Sequence, residues 1–167
     1  MPSRRELIRM SDEEVGTFLE GRRVMNLASL GPGGRIHLVA MWYGFLGSSD
    51  AFRRDAGYHD AGLVIETFAK SQKVQNLRRD PRFTALVEAG ETYQTLQGVE
   101  LIGAAEIIED REVVVESCKA VLSRYESLER DEDLQFAAEM AANKRVCVRL
   151  HVDQVVSWDH TKLDVSY

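Results

Sequence analysis

One block of thirteen residues, Lys70-Ser71-Gln72-Lys73-Val74-Gln75-Asn76-Leu77-Arg78-Arg79-Asp80-Pro81-Arg82, limits what this chain can fold into more than any other stretch. A hydrophobic, β-branched segment, Leu63-Val64-Ile65-Glu66-Thr67-Phe68, runs just before it. Ser71 suits a helix N-cap, Val74 and Leu77 share a helical face, and Pro81 forbids continuation. The pattern predicts a strand feeding a short helix whose first turn holds Lys70 and Lys73. Cations there oppose the helix macrodipole and the unpaired N–H groups. A local rule broken in this way points to a functional site, and a bound anion repairs it. A solvated basic face is the plainer alternative. The anion is the reading carried forward.

The block holds five basic side chains against one acid, a local +4 in a chain of formal net charge −6, so the remainder totals −10. With a pI near 5.3, the chain lacks the broad basic stripe that nucleic acid requires, so an anionic ligand must bind at a focused patch. At 167 residues the expected organisation is one domain, 1–167, able to bury roughly 70% of its unfolded surface. Hydrophobic content of 44% and charge of 29% are ordinary globular values and argue against disorder. Cys118 and Cys147 lie far apart within periodic segments and read as small core hydrophobes, with no disulfide framework. That usage suits a reducing cytoplasm. Met1 to Met10 is charged and has no apolar signal-peptide core, and the run Leu38 to Leu46 is too short for a bilayer. The expectation is a cytoplasmic protein that binds neither membrane nor nucleic acid.

Along the chain, Ser11-Asp12-Glu13-Glu14 is a capping box that opens a short helix ending at Gly21. Arg23 to Leu30 and Arg35 to Phe45 read as two strands of a hairpin around Gly31-Pro32-Gly33-Gly34. Gly47 to Gly62 is a long polar loop with Arg53, Arg54, Tyr58 and His59, of a length that is often functional. Beyond the basic block come a strand over Phe83 to Glu88 and a β segment from about Tyr93 to Glu109, broken near Gly98 and Gly103. Asp110 caps a helix with Val114, Cys118, Val121, Leu122 and Tyr125 on one face, and a second helix spans about Asp133 to Asn143. Two strand-like runs close the chain, Arg145 to Leu150 and Gln154 to Trp158. Six or more antiparallel strands with helices at the edges indicate an α+β barrel or sheet.

Several common signatures are absent. The Gly31 turn lacks the dinucleotide-binding spacing, and there is no P-loop or nucleophile-elbow serine. His37, His59, His151 and His160 have neither partner cysteines nor i,i+4 spacing, so no metal site is expected. The second strand ends in Met41-Trp42-Tyr43, and successive side chains point to opposite faces. One of these two rings therefore needs a partner beyond the core, which a flat conjugated ring would supply. A second polar-aromatic cluster, Ser157-Trp158-Asp159-His160-Thr161-Lys162-Leu163, follows the last strand and otherwise reads as a frayed tail.

Taken in order, the capped helix, the Gly-Pro-Gly-Gly-Arg hairpin, Met41-Trp42-Tyr43 and the Lys70 to Arg82 block resemble one known family. It is the pyridoxamine-5′-phosphate-oxidase-like split β-barrel superfamily, within it the flavin/deazaflavin oxidoreductases common in actinobacteria. The likeness also takes in Leu96-Gln97-Gly98-Val99-Glu100 and the Trp158 tail, and Lys70 to Arg82 is its specific part. It implies an FMN-binding split barrel of six or more mostly antiparallel strands with peripheral helices. It also implies a homodimer with cofactor at the subunit interface. By position, Ser71 and Lys73, helped by Lys70, would hold the cofactor phosphate. Val39, Ala40, Met41, Trp42 and Thr67 would line the isoalloxazine or deazaflavin ring, with Trp158 and His160 approaching from the interface side. True pyridoxamine-phosphate oxidases end in a Trp followed by an Arg-rich motif; here only His160 and Lys162 follow Trp158, which argues against that substrate.

The expected activity is hydride transfer between coenzyme F-420 or FMN and a small organic substrate, the cofactor supplying the redox chemistry. Coenzyme F-420 stands ahead of FMN because its acidic tail calls for further cations, with Lys70, Arg78, Arg79, Arg53 and Arg54 as candidates. Tyr43, His37 and His160 are the candidate proton donors, and no catalytic residue is singled out among them. A non-catalytic flavin-, deazaflavin- or haem-binding protein of the same fold is the alternative, and a purely structural domain ranks last.

Overall fold

Alternating burial lays down most of the sheet. A computed structural model describes residues 3–21, 23–47, 62–128 and 130–163. Among these, β1 (Met25–Leu30) buries every second residue, and β5 (Arg82–Ala89) buries Phe83, Ala85 and Val87 on the same inner side. The other strands are β2 (Ile36–Met41), β3 (Gly44–Phe45), β4 (Leu63–Phe68), β6 (Gln97–Ile108) and β7 (Arg145–Asp159). Every pairing is antiparallel, in the spatial order β2-β1-β5-β6-β7-β4-β3.

The two outermost strands, β2 and β3, are separated in the chain only by Trp42 and Tyr43. A connection that short reaches roughly 10 Å at full extension. The sheet must therefore curl until its edges approach, with β2 paired only to β1 on its other side. The result is an α+β split β-barrel.

Inside lies one core drawn from all the main strands, including Leu27, Ile65, Leu101, Val148 and Leu150. Five helices surround it among the described residues: α1 (Arg4–Ile8), α2 (Asp12–Glu20), α3 (Gln72–Arg79), α4 (Arg111–Tyr125) and α5 (Asp131–Ala142). At the start of α2, Ser11 and Glu14 form the expected capping box. Asp110 caps α4 by accepting from the Glu112 and Val113 amides. Val74 and Leu77 of α3 enter the barrel core, while α4 and α5 cover the back of β4 and β7 around Val64, Cys118 and Cys147.

Four sequence expectations need correction. Arg35 to Phe45 is not one strand: it breaks after Met41, and Gly44–Phe45 pairs with β4 at the other end of the sheet. The two closing runs are one strand, β7, because the turn-like interior of Val152 to Gln154 is absorbed by a register shift opposite Ile102/Gly103. The segment at Tyr93 is a 3-10 turn, so β6 begins at Gln97 and passes through Gly98 and Gly103 unbroken. A side chain at Gly98 would lie 2.2 Å from the Trp158 ring, which is why glycine is needed there. Finally, α1 was not foreseen; Ser3 and Glu6 form its capping box. The Gly47 to Gly62 loop lies, apart from its two end glycines, outside the described residues.

Candidate functional site

The opening between the curled edges is a cleft of about 340 Å³. Ala40, Met41 and Trp42 at the end of β2 form one wall, Glu66, Thr67 and Phe68 at the end of β4 the other, with Val24 and Arg145 completing it. Trp42 is held as a wall by stacking flat on Tyr125 of α4, with ring centroids 4.8 Å apart and planes 1° from parallel. It is still 42% exposed on its other side. Phe68, 55% exposed, carries the Arg145 guanidinium over its ring at 4.9 Å. Trp42 and Phe68 thus put two aromatic rings in the lining of the cleft, which suits a flat conjugated ring.

The polar half of the site follows directly from the β4-to-α3 turn. Lys73 Nζ donates to Thr67 Oγ1 at 3.0 Å. Burial pulls the Lys73 pKa down, and the nearby Glu66 carboxylate pushes back against that shift. A half-buried ammonium with one neutral hydroxyl partner is short of anionic company. Ser71 occupies the N-cap position of α3, but its side chain makes no capping bond. The Ser71 Oγ is enclosed and has no hydrogen-bond partner. An unpaired buried hydroxyl costs about 1–3 kcal/mol, so a group that pairs with it gains that much. Hydroxyl, ammonium and helix N-terminus together fit a phosphate. Deeper in the cleft Glu66, almost fully buried, is paired with Arg145.

The expected site residues divide into those gathered here and those elsewhere. Ala40, Met41, Trp42 and Thr67 line the cleft, and Ser71 and Lys73 stand at the turn beside it. Val39 is half-buried and packs against the core, and Lys70 is exposed. Trp158 and His160 are at the far end of β7 from Arg145, where Trp158 opposes Gly98 and His160 Nδ1 is 2.8 Å from the Tyr93 carbonyl. Within one chain they do not reach the cleft. Tyr43 is no proton donor: it is fully buried, its hydroxyl donates to the Leu19 carbonyl at 2.7 Å, and burial raises its pKa. Trp42 and Trp158 both have partners within the chain, Tyr125 and Gly98, so neither ring requires one from outside.

Of the cations considered for an acidic tail, Arg78 is paired with Glu109 and Arg79 donates to the Leu30 carbonyl. Arg53 and Arg54 lie outside the described residues. Lining residues that sequence reasoning passed over are Val24, Glu66, Phe68 and Arg145. Glu66 was legible as the one acid in an apolar run, but its partner Arg145 is brought in only by strand pairing. Among the described residues no group of three His, Cys, Asp or Glu could hold a metal ion, and no helix is long and apolar enough to cross a membrane.

A family model described as pyridoxamine 5′-phosphate oxidase matches residues 11–159. No curated protein sequence matches the chain. Among solved structures, a conserved hypothetical protein from Mycobacterium tuberculosis is 39% identical, with a TM-score of 0.84 over 99% of this chain and 95% of that one. An F-420 reductase is similar at 18% identity and a TM-score of 0.58, covering 93% of this chain and 98% of its own. A heme storage protein from Vibrio cholerae is similar at 15% identity and a TM-score of 0.61, covering 87% of this chain and 93% of its own. The last two likenesses show the fold alone.

Proposed function

The chain belongs to the pyridoxamine 5′-phosphate oxidase family, and from that premise we propose that it is a cytoplasmic oxidoreductase of the flavin/deazaflavin branch. It moves a hydride between coenzyme F-420, or FMN, and a small organic substrate. One observation carries the reading: the unpartnered Ser71 hydroxyl beside the half-buried Lys73 at the start of α3, next to a cleft lined by Trp42 and Phe68. When bound, the cofactor supplies the hydride chemistry. Ser71, Lys73 and the α3 amides hold its phosphate, while Ala40, Met41 and Trp42 orient its ring and exclude water on one side. A protein of the same fold is an F-420 reductase, and among the described residues exposed Lys70 is the cation left to meet an acidic tail.

The active form is a homodimer with cofactor at the interface. Support comes from the outward side of β2, where Ile36 and Leu38 are 70% and 64% exposed. Ala28 and Thr84 continue that row across the sheet. An uncovered apolar strand face of this kind is characteristic of subunit contacts. Trp158 and His160 would then reach the cofactor from the second chain.

A non-catalytic binding protein is the second reading, favoured because, among the described residues, Tyr43 is buried away from the cleft and Glu66 is paired with Arg145, which leaves no free acid in the cleft lining. The relative that stores heme illustrates that role on this fold. Side-by-side titration of FMN and coenzyme F-420, followed by turnover with reduced cofactor, separates the readings. Binding with turnover supports the oxidoreductase, binding without it supports storage or sensing, and no binding of either cofactor overturns both.

A further inference from the structure

We propose that the Glu66–Arg145 pair sets the charge selectivity of the cleft. It keeps the part lined by Trp42 and Phe68 neutral, so that an uncharged flat ring is admitted there and a flat anion, such as an aromatic carboxylate, is turned away. The inference rests on the reading of the cleft as the site of a cofactor with a flat ring and a phosphate.

Among the described residues Glu66 and Arg145 are the two ionisable side chains in the cleft lining; the rest of it is apolar apart from the neutral hydroxyl of Thr67. Strand pairing makes them meet. Arg145 stands directly opposite Phe68 across β7 and β4, and Glu66, two residues before Phe68, projects to the same side of the sheet. The Arg145 guanidinium lies over the Phe68 ring and donates to the Glu66 carboxylate. The Arg145 side chain is 28% exposed against 8% for Glu66, so the cation is the member that a ligand in the cleft would meet first.

Stability gives no reason for such a pair, because apolar residues of similar volume often serve a buried position as well or better. An arginine alone in that place would hold an anion through charge-assisted hydrogen bonds. Glu66 engages the guanidinium and cancels its charge. At the start of α3 the balance is different: Lys73 donates to a neutral hydroxyl, and Ser71 Oγ has no partner at all. Two cations and one carboxylate leave one positive charge over, and it belongs to Lys73. The cleft is therefore polarised along its length. A ligand with an uncharged ring and an anionic arm fits in one orientation, since the reverse sets its anion beside the Glu66 carboxylate.

The test is competition by benzoate, a flat carboxylate without a phosphate, against whichever of FMN and coenzyme F-420 the protein binds, followed by cofactor fluorescence. Glu66→Gln keeps the shape of the side chain and an oxygen for Arg145 while leaving the guanidinium charge unbalanced. Benzoate should compete about tenfold more strongly in Glu66→Gln than in wild type, and the gain should shrink as salt rises. The gain should persist when Lys73→Ala removes the α3 cation, and vanish in the double variant Glu66→Gln/Arg145→Met, where both charges are gone. A folded Glu66→Gln protein in which benzoate competes no better than in wild type overturns the proposal and leaves the cofactor reading standing. A gain that survives the loss of Arg145 does the same. Calorimetry on cofactor-free wild type gives a readout free of any folding defect: inorganic phosphate should bind more tightly than benzoate, and the reverse order overturns the proposal. Wild type that binds neither cofactor overturns both the cofactor reading and the proposal.

Discussion

Lys73 illustrates how one side chain reports its missing partner. Burial disfavours its charge, Glu66 restores part of it, and Thr67 offers only a neutral oxygen. A phosphate would complete the set, and one charge-assisted contact is worth about 1.5–3 kcal/mol. Lys73→Ala should therefore weaken the Kd for FMN or coenzyme F-420 about ten- to hundredfold, measured by fluorescence titration; an unchanged Kd would remove Lys73 from the site. The cysteines behave in the opposite sense. Burial pushes the Cys118 thiol up to about 12 and also raises Cys147, so both are held as neutral thiols. Cys118 thus contributes stability that is complete below the unfolded thiol pKa of 9.0 and is lost as pH rises toward about 12, and Cys147 contributes in the same direction. Native protein at neutral pH should leave both unlabelled by a thiol reagent. Guanidinium-unfolded protein should label at two sites. Rapid labelling of the native state would show that the α4–β7 interface opens.

At the scale of the element, the two serine caps provide a contrast. Ser11 accepts from the Glu14 amide in a reciprocal capping box, whereas Ser71 caps nothing. Ser11→Ala should lower stability by about 1 kcal/mol in urea denaturation. Ser71→Ala removes an enclosed hydroxyl that has no partner, so it should stabilise the cofactor-free protein by up to about 1–3 kcal/mol, yet weaken cofactor binding. Equal losses of stability from both substitutions would mean that Ser71 has a structural role after all. The β4–β7 pair carries a different dependence. Glu66 is 8% exposed and Arg145 is its ion-pair partner, so Arg145→Met strands a buried carboxylate at a cost of about 3–5 kcal/mol. Glu66→Gln in the same background should recover most of that loss, and failure to do so would put the cost elsewhere.

For the whole molecule, the curl that brings β2 and β3 together creates both the cleft and an outer apolar face. The cleft is walled by Ala40, Met41 and Trp42, while the face carries Ile36 and Leu38 on the same strand. A dimer through that face should give light scattering at twice 18.9 kDa. Leu38→Glu, a charge on a strongly exposed position, should return the mass to that of a monomer while the far-UV circular dichroism stays that of the folded protein. A wild-type monomer that still binds cofactor tightly would defeat the shared-site arrangement.

What the sequence determined by itself is local. The Ser11 capping box, the Ser71 to Pro81 helix with its misplaced cations, and the alternation of β1 and β5 depend on residues within one or two turns of each other, so they can be read from spacing alone. The resemblance carried by Lys70 to Arg82 extended that reading to the fold. Tertiary structure decided everything that depends on long-range pairing. Nothing near Glu66 in sequence announces Arg145, seventy-nine residues away, and nothing near Trp42 announces Tyr125. The break at Trp42-Tyr43 likewise follows from closure: an aromatic run that looks like one strand is divided because its two halves are needed at opposite edges of one curled sheet. Tyr43 was a plausible acid by type and became a core strut by position, since only packing determines whether a hydroxyl meets solvent or the Leu19 carbonyl.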